Sequence, residues 1–177
     1  MLSLVFEEKK YFRYNNKWVD CNDMVVHLAL QDKLNQRYAE IVDLSAFDVK
    51  SLIEEADRFK KSESYILAIR YYEEAVKKCD SRTVSSLFPR LSSCYRKCGM
   101  AKKSIDLLSE AKKKHGMKIV TSELLVSAAA AYCDLEEYDN AKKCADRANA
   151  ISNNSHNEYL TAVYRRIKSE KEKNRED

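Results

Sequence analysis

Only two glycines and one proline occur in 177 residues. A fold of many strands and tight turns draws on both for unusual backbone angles, so this scarcity excludes most all-β architectures and favours helices. Three histidines, His27, His115 and His156, leave little for metal binding or acid-base catalysis, and no two stand one helical turn apart. Phosphate-loop, nucleophile-elbow and dinucleotide fingerprints are missing as well. No stretch approaches the roughly 18 apolar residues that span a bilayer. The apolar start, Met1 to Phe6, has no basic lead and is followed by Glu7 and Glu8. These absences predict a soluble cytoplasmic protein that is not an enzyme, needs no cofactor or metal and has no membrane partner.

Charge of one sign is not in large excess either. Thirty-two lysines and arginines face 28 acids, a net charge of +4, too small by itself to argue for nucleic acid. Up to residue 48 the chain holds 6 basic and 8 acidic residues, so the surplus lies beyond. The six cysteines fall inside amphipathic helical patterns rather than loops, which predicts reduced thiols. Cys94 and Cys98 are one turn apart and could face a metal together, but they lack knuckle spacing, and Cys94 stands where a small buried residue is needed.

What the chain does have is a repeat. In "AIRYYEEAVKKC", Ala68 to Cys79, apolar and aromatic residues return every three or four positions. Small, large and small residues recur at Ala68, Tyr72 and Ala75, at Ser104, Leu108 and Ala111, and at Ala141, Ala145 and Ala148. A second helix precedes each copy, carrying Ala56 and Phe59, Ser92 and Tyr95, or Ala129 and Tyr132. Each ends in an aromatic nine residues before its partner's small residue. Small side chains let two helix backbones approach, and the aromatic fills the space beside them.

The pattern resembles the tetratricopeptide repeat, a helix-turn-helix unit of about 34 residues. Three units fit, at about 49–82, 85–118 and 122–155, with Ala145 departing from a large slot and Gly99 at the family's inter-helix glycine. The predicted fold is all-α: an α-α superhelix of three such hairpins over 49–155, closed by a capping helix and charged tail over 156–177. Tyr159, Leu160, Val163, Tyr164 and Ile167 form the capping stripe, and "KSEKEKNRED" frays. Pro89 either kinks the first helix of the middle unit or marks its late start near Phe88.

Residues 1–48 fall outside the repeat. Asn15-Asn16 between aromatic runs predicts a β-hairpin. Asp23 to Val42 reads as a helix with His27, Leu30, Leu34, Tyr38 and Ile41 on its apolar stripe, capping the stack. "SAFD", Ser45 to Asp48, reads as a helix-start box. Trp18 is either a packed core ring or an exposed partner anchor.

The resemblance implies a non-catalytic scaffold or adaptor that holds a protein or peptide segment against the first helices of its units. The implied lining is Lys50, Asp57, Lys60 and Lys61, then Arg90, Ser93, Arg96 and Lys97, then Ser127 and Asp134, with Ile53, Glu123 and Ala130 beside them. Arg90, Arg96 and Lys97 suit carboxylates. Ile53, Asp57 and Glu123 depart from the lysine and asparagine set with which one subfamily grips the acidic tails of chaperones. Two alternatives stand beside the adaptor reading: an RNA-binding helical repeat, opposed by Asp57, Glu123 and Asp134, and a sensor whose amino-terminal segment gates the groove.

Overall fold

A computed structural model describes residues 2–152 and 157–173; His156 and the expected end of the third unit at Ser155 lie outside them. The chain divides into two compact units, Met1–Lys78 and Cys79–Asp177. The first hairpin therefore groups with the amino-terminal segment, and the other two group with the closing helix.

The first unit opens with a three-stranded antiparallel sheet, β1 (Ser3–Phe6), β2 (Lys9–Tyr14) and β3 (Lys17–Val19), in that order. The expected hairpin is β2–β3, turning on Asn15 and Asn16 at φ 46° and 64°. Two positive φ angles in a two-residue loop match strand twist, and asparagine tolerates them. Strand β1 is an addition to the expected hairpin: its turn uses Glu7 and Glu8 at φ 48° and 63°, residues with no such preference. Leu4, Tyr11, Arg13 and Trp18 share the buried face, with Leu4 opposite Tyr11 and Arg13 opposite Trp18.

Helix α1 (Leu28–Ile41) starts later than Asp23. The Asp20 carboxylate accepts the Asn22 and Met24 N–H groups, and Val25 bridges to Val19, so residues 20–26 are held in a turn and an extended segment. His27 is consequently an exposed N-cap rather than a residue of the apolar stripe. Exposed Ile41 also leaves the stripe, which Leu34 and Tyr38 keep.

Helices α2 (Val49–Lys61) and α3 (Tyr65–Lys78) form the first hairpin, and α1 packs on α3. Asp48, not Ser45, caps α2, accepting the Ser51 N–H at 2.8 Å. Ala56, Ala68, Ala75 and Tyr72 are fully buried and Phe59 nearly so, as a close helix crossing requires.

In the second unit, α4 (Ser81–Lys97) and α5 (Ala101–His115) form one hairpin, and α6 (Ser122–Asp134) and α7 (Tyr138–Ile151) the next. A short 3-10 turn (Gly116–Ile119) links them, and α8 (Glu158–Lys173) closes the unit. The first helices form one layer, α4 on α6 and α6 on α8; α5 packs on α4 and α6, and α7 on α6 and α8. Helix α4 begins at Ser81, capped by Asp80, so Pro89 lies within it rather than at its start and withholds the N–H that Ser85 C=O would accept. The serines at small slots satisfy each other: the Ser92 and Ser104 hydroxyls are 2.5 Å apart and buried. Ala129, Ala141, Ala145 and Ala148 bring α6 and α7 together, and Leu160, Val163 and Ile167 of α8 cover them.

All three hairpins turn alike. Glu63, Gly99 and Glu136 occupy equivalent positions at φ 58°, 71° and 61°. The next residue's N–H reaches back to the aromatic carbonyl, Ser64 to Phe59, Met100 to Tyr95 and Glu137 to Tyr132, at 2.8–2.9 Å. This left-handed helix end favours glycine, yet two of the three copies carry glutamate. Glu63→Gly and Glu136→Gly are therefore expected to stabilise the chain by about 1 kcal/mol each. Gly99→Ala, with open space around it, should lose about 1 kcal/mol through backbone strain alone. Denaturant midpoints of the three variants check both signs.

Candidate functional site

Trp18 is not exposed, which corrects the anchor alternative. Its side chain has 0% exposure, and its Nε1–H donates to Asn35 Oδ1 at 2.9 Å. Gln31 holds its backbone from both sides, accepting from the Trp18 N–H and donating to its carbonyl at 2.8 Å each.

No local pattern in the sequence signals Arg13 beside it. Arg13 is 8% exposed as a residue, and its guanidinium lies 4.9 Å from the Phe59 ring centre and 5.5 Å from that of Trp18. It donates to Asn35 Oδ1 at 2.6 Å and to Asn16 O and Ser64 Oγ at 3.1 Å, while its Nε has no partner. Burial, then the charge of Arg58, pushes its pKa down to about 10. Neutral oxygens and aromatic faces thus hold a buried cation, fastening the sheet to the α2–α3 turn.

On the first unit, Lys50 and Lys61 are exposed and Lys60 half-buried; Lys50 stands 3.8 Å from Glu54. The Asp57 carboxylate accepts a hydrogen bond from the Tyr72 hydroxyl, so this acid is already engaged within its hairpin.

On the second unit, Arg90 and Lys97 are exposed and Ser93 half-buried, spaced along α4 as one stripe. Ser127 Oγ donates to the Glu123 carbonyl at 2.9 Å, Glu123 is exposed, and Ala130 is buried and adds nothing to a binding face. Arg96 and Asp134 come together. Arg96 Nε donates to Asp134 Oδ2 and its Nη2 reaches Oδ1 at 3.4 Å. Arg166 of α8, not among the expected site residues, supplies a second guanidinium to Oδ1 at 2.8 Å. Nothing local in sequence signals this meeting, since Arg166 is 32 residues from Asp134 and flanked by other cations.

Partial burial pushes the Asp134 carboxyl up, but hydrogen bonds from Arg96 and Arg166 outweigh it and hold the pKa below its ordinary 3.8. A carboxyl lowered by folding stabilises fully above its unfolded value and loses that contribution as pH falls through the folded one. Asp134→Asn should thus cost about 1 kcal/mol at neutral pH, with the gap closing as the medium falls below pH 3.8. Urea unfolding of both proteins at the two pH values checks it.

Among the described residues no three His, Cys, Asp or Glu side chains are placed to hold a metal, and no helix is long and apolar enough to cross a membrane. The six cysteines are free thiols, Cys94 fully buried and Cys98 half-buried. Burial pushes the thiols of Cys79, Cys133 and Cys144 up, away from the nucleophilic thiolate.

Helical hairpins stacked through small residues, with a polar closing helix, define a tetratricopeptide-like fold. Solved structures agree. The chain is similar to the tetratricopeptide domain of Sgt2 from Aspergillus fumigatus, with a TM-score of 0.62 and 16% identity over 73% of this chain and 82% of that one. It is also similar to the second tetratricopeptide domain of human RPAP3, solved in complex with the HSP70 peptide SGPTIEEVD. There the TM-score is 0.54 and the identity 14%, covering 77% of this chain and 98% of that domain. No protein-family model matches the sequence. No curated protein matches it.

Proposed function

We propose that this chain is a non-catalytic adaptor, working in the cytoplasm, whose first helices hold a protein or peptide segment. The observation that carries the reading is the layer α4–α6–α8, which turns Leu91, Leu125 and Val163 inward and leaves Arg90, Lys97, Glu123 and Arg166 at the surface. A face of mixed charge on rigid helices suits a polypeptide with its own polar pattern better than the uniformly anionic backbone of RNA. The RPAP3 domain, solved with a bound peptide, lends support by its fold.

The gating alternative gains nothing. The amino-terminal segment packs through α1 on α3 and through Arg13 on the α2–α3 turn.

The test is quantitative recovery of cellular partners on the full chain. The double variant Arg90→Glu, Lys97→Glu should keep its melting temperature and lose a defined protein partner by about tenfold. Unchanged recovery removes this face from the account. Recovery of RNA in place of protein, with steep loss on adding salt, supports the nucleic-acid alternative.

A further inference from the structure

Arg96 and Arg166 enter from two helices, α4 and α8, and meet on one carboxylate at the last position of the helix between them. The partners are not deeply buried: side-chain exposure is 28% for Arg96, 26% for Asp134 and 44% for Arg166. Two cations on one anion leave an excess positive charge. Asp134 also sits at a helix carboxyl end, where the peptide dipoles disfavour a negative group. The helix itself therefore opposes an acid here, and the two arginines retain it.

We propose that Asp134 stands in for a partner's carboxylate. On this view Arg96 and Arg166 form a two-guanidinium receptor for an acidic peptide segment, and the chain's own side chain closes it until that segment arrives. The inference rests on the reading that the α4–α6–α8 layer binds polypeptide. Arginine forks match carboxylates in geometry, and Arg96 already presents one to both oxygens of Asp134.

An attached carboxylate competes at high effective concentration, so a single free acid does not displace it. A run of acids does, because each further carboxylate raises the local concentration of competitor at the two guanidinium groups. The ligand class is thus a short acidic stretch.

The experiment uses the full chain and a fluorescent oligoglutamate peptide at low ionic strength, read by anisotropy. Asp134→Asn should bind it about tenfold more tightly than the natural chain. Adding Arg96→Gln or Arg166→Gln to that variant should remove the gain, and an oligoglutamine peptide should bind neither protein. In the natural chain, saturating oligoglutamate should shift the Arg96 Nε–H resonance, a readout that does not depend on a variant folding. Equal affinity for Asp134→Asn and the natural chain, or an Arg96 resonance that stays in place, overturns the proposal. If oligoglutamate binds through Arg90 and Lys97 without Arg96 and Arg166, the inference fails while the adaptor reading stands. If it binds nowhere, the inference again fails, and the partner-recovery experiment decides the adaptor reading separately.

Discussion

Alanine in place of Trp18 should destabilise the first unit by about 3–5 kcal/mol, the range for removing a large ring from a closed core. The indole has no exposed surface, packs edge-to-face with Tyr38 with ring centres 5.8 Å apart, and stands beside the Arg13 guanidinium. Its loss opens a cavity, leaves Asn35 without one of its donors, and strips a buried cation of one of its two aromatic faces. Typical domain stability is only about 5–15 kcal/mol, so this change takes a large share of it. Far-UV circular dichroism during urea unfolding measures the loss. Trp18→Phe, which keeps a ring but not the N–H, should lie between alanine and the natural chain. If Trp18→Ala unfolds within about 0.5 kcal/mol of the natural protein, the ring is not the centre of this core.

Leucine in place of Ala141 should cost about 2–3 kcal/mol by overpacking. Ala141 has 0% exposure and lies in one cluster with Leu125, Ala129 and Cys133 of the facing helix. A longer side chain there either forces α6 and α7 apart or takes an unfavourable rotamer, and in both cases it disturbs the surface that α8 covers. Ala150→Leu, on the same helix but exposed, is the control and should stay within about 0.5 kcal/mol. Equal stability of the two variants would mean that the helices do not depend on close approach at the small slots.

These two sites differ in how far the sequence disclosed them. Ala141 was legible because packing constraints repeat: Ala68, Ser104 and Ala141 do the same work in three hairpins, so each copy supports the others. Trp18 was legible as an aromatic needing a partner, yet its burial depends on Gln31, Asn35 and Arg13, polar residues that composition assigns to the surface. Strand β1 is not legible because Glu7 and Glu8 carry no turn signal, and α1 starts later than hydropathy implies because the Asp20 carboxylate holds the preceding residues in a turn. Of the expected surface residues, Lys97 stands exposed on α4, whereas Asp57 and Arg96 are engaged by Tyr72 and Asp134. Hydropathy periodicity reports which face is wet, and it carries no record of which charges cancel across helices.

The adaptor account is tested most directly by photo-crosslinking in the native cell. One photoreactive residue replaces Ser86, exposed on α4 one turn before Arg90, and in a second protein another replaces Ser109, exposed on α5 in the other layer. The account predicts a discrete polypeptide adduct from position 86 and none from position 109. Adducts from position 109 alone, or from neither position, would contradict it.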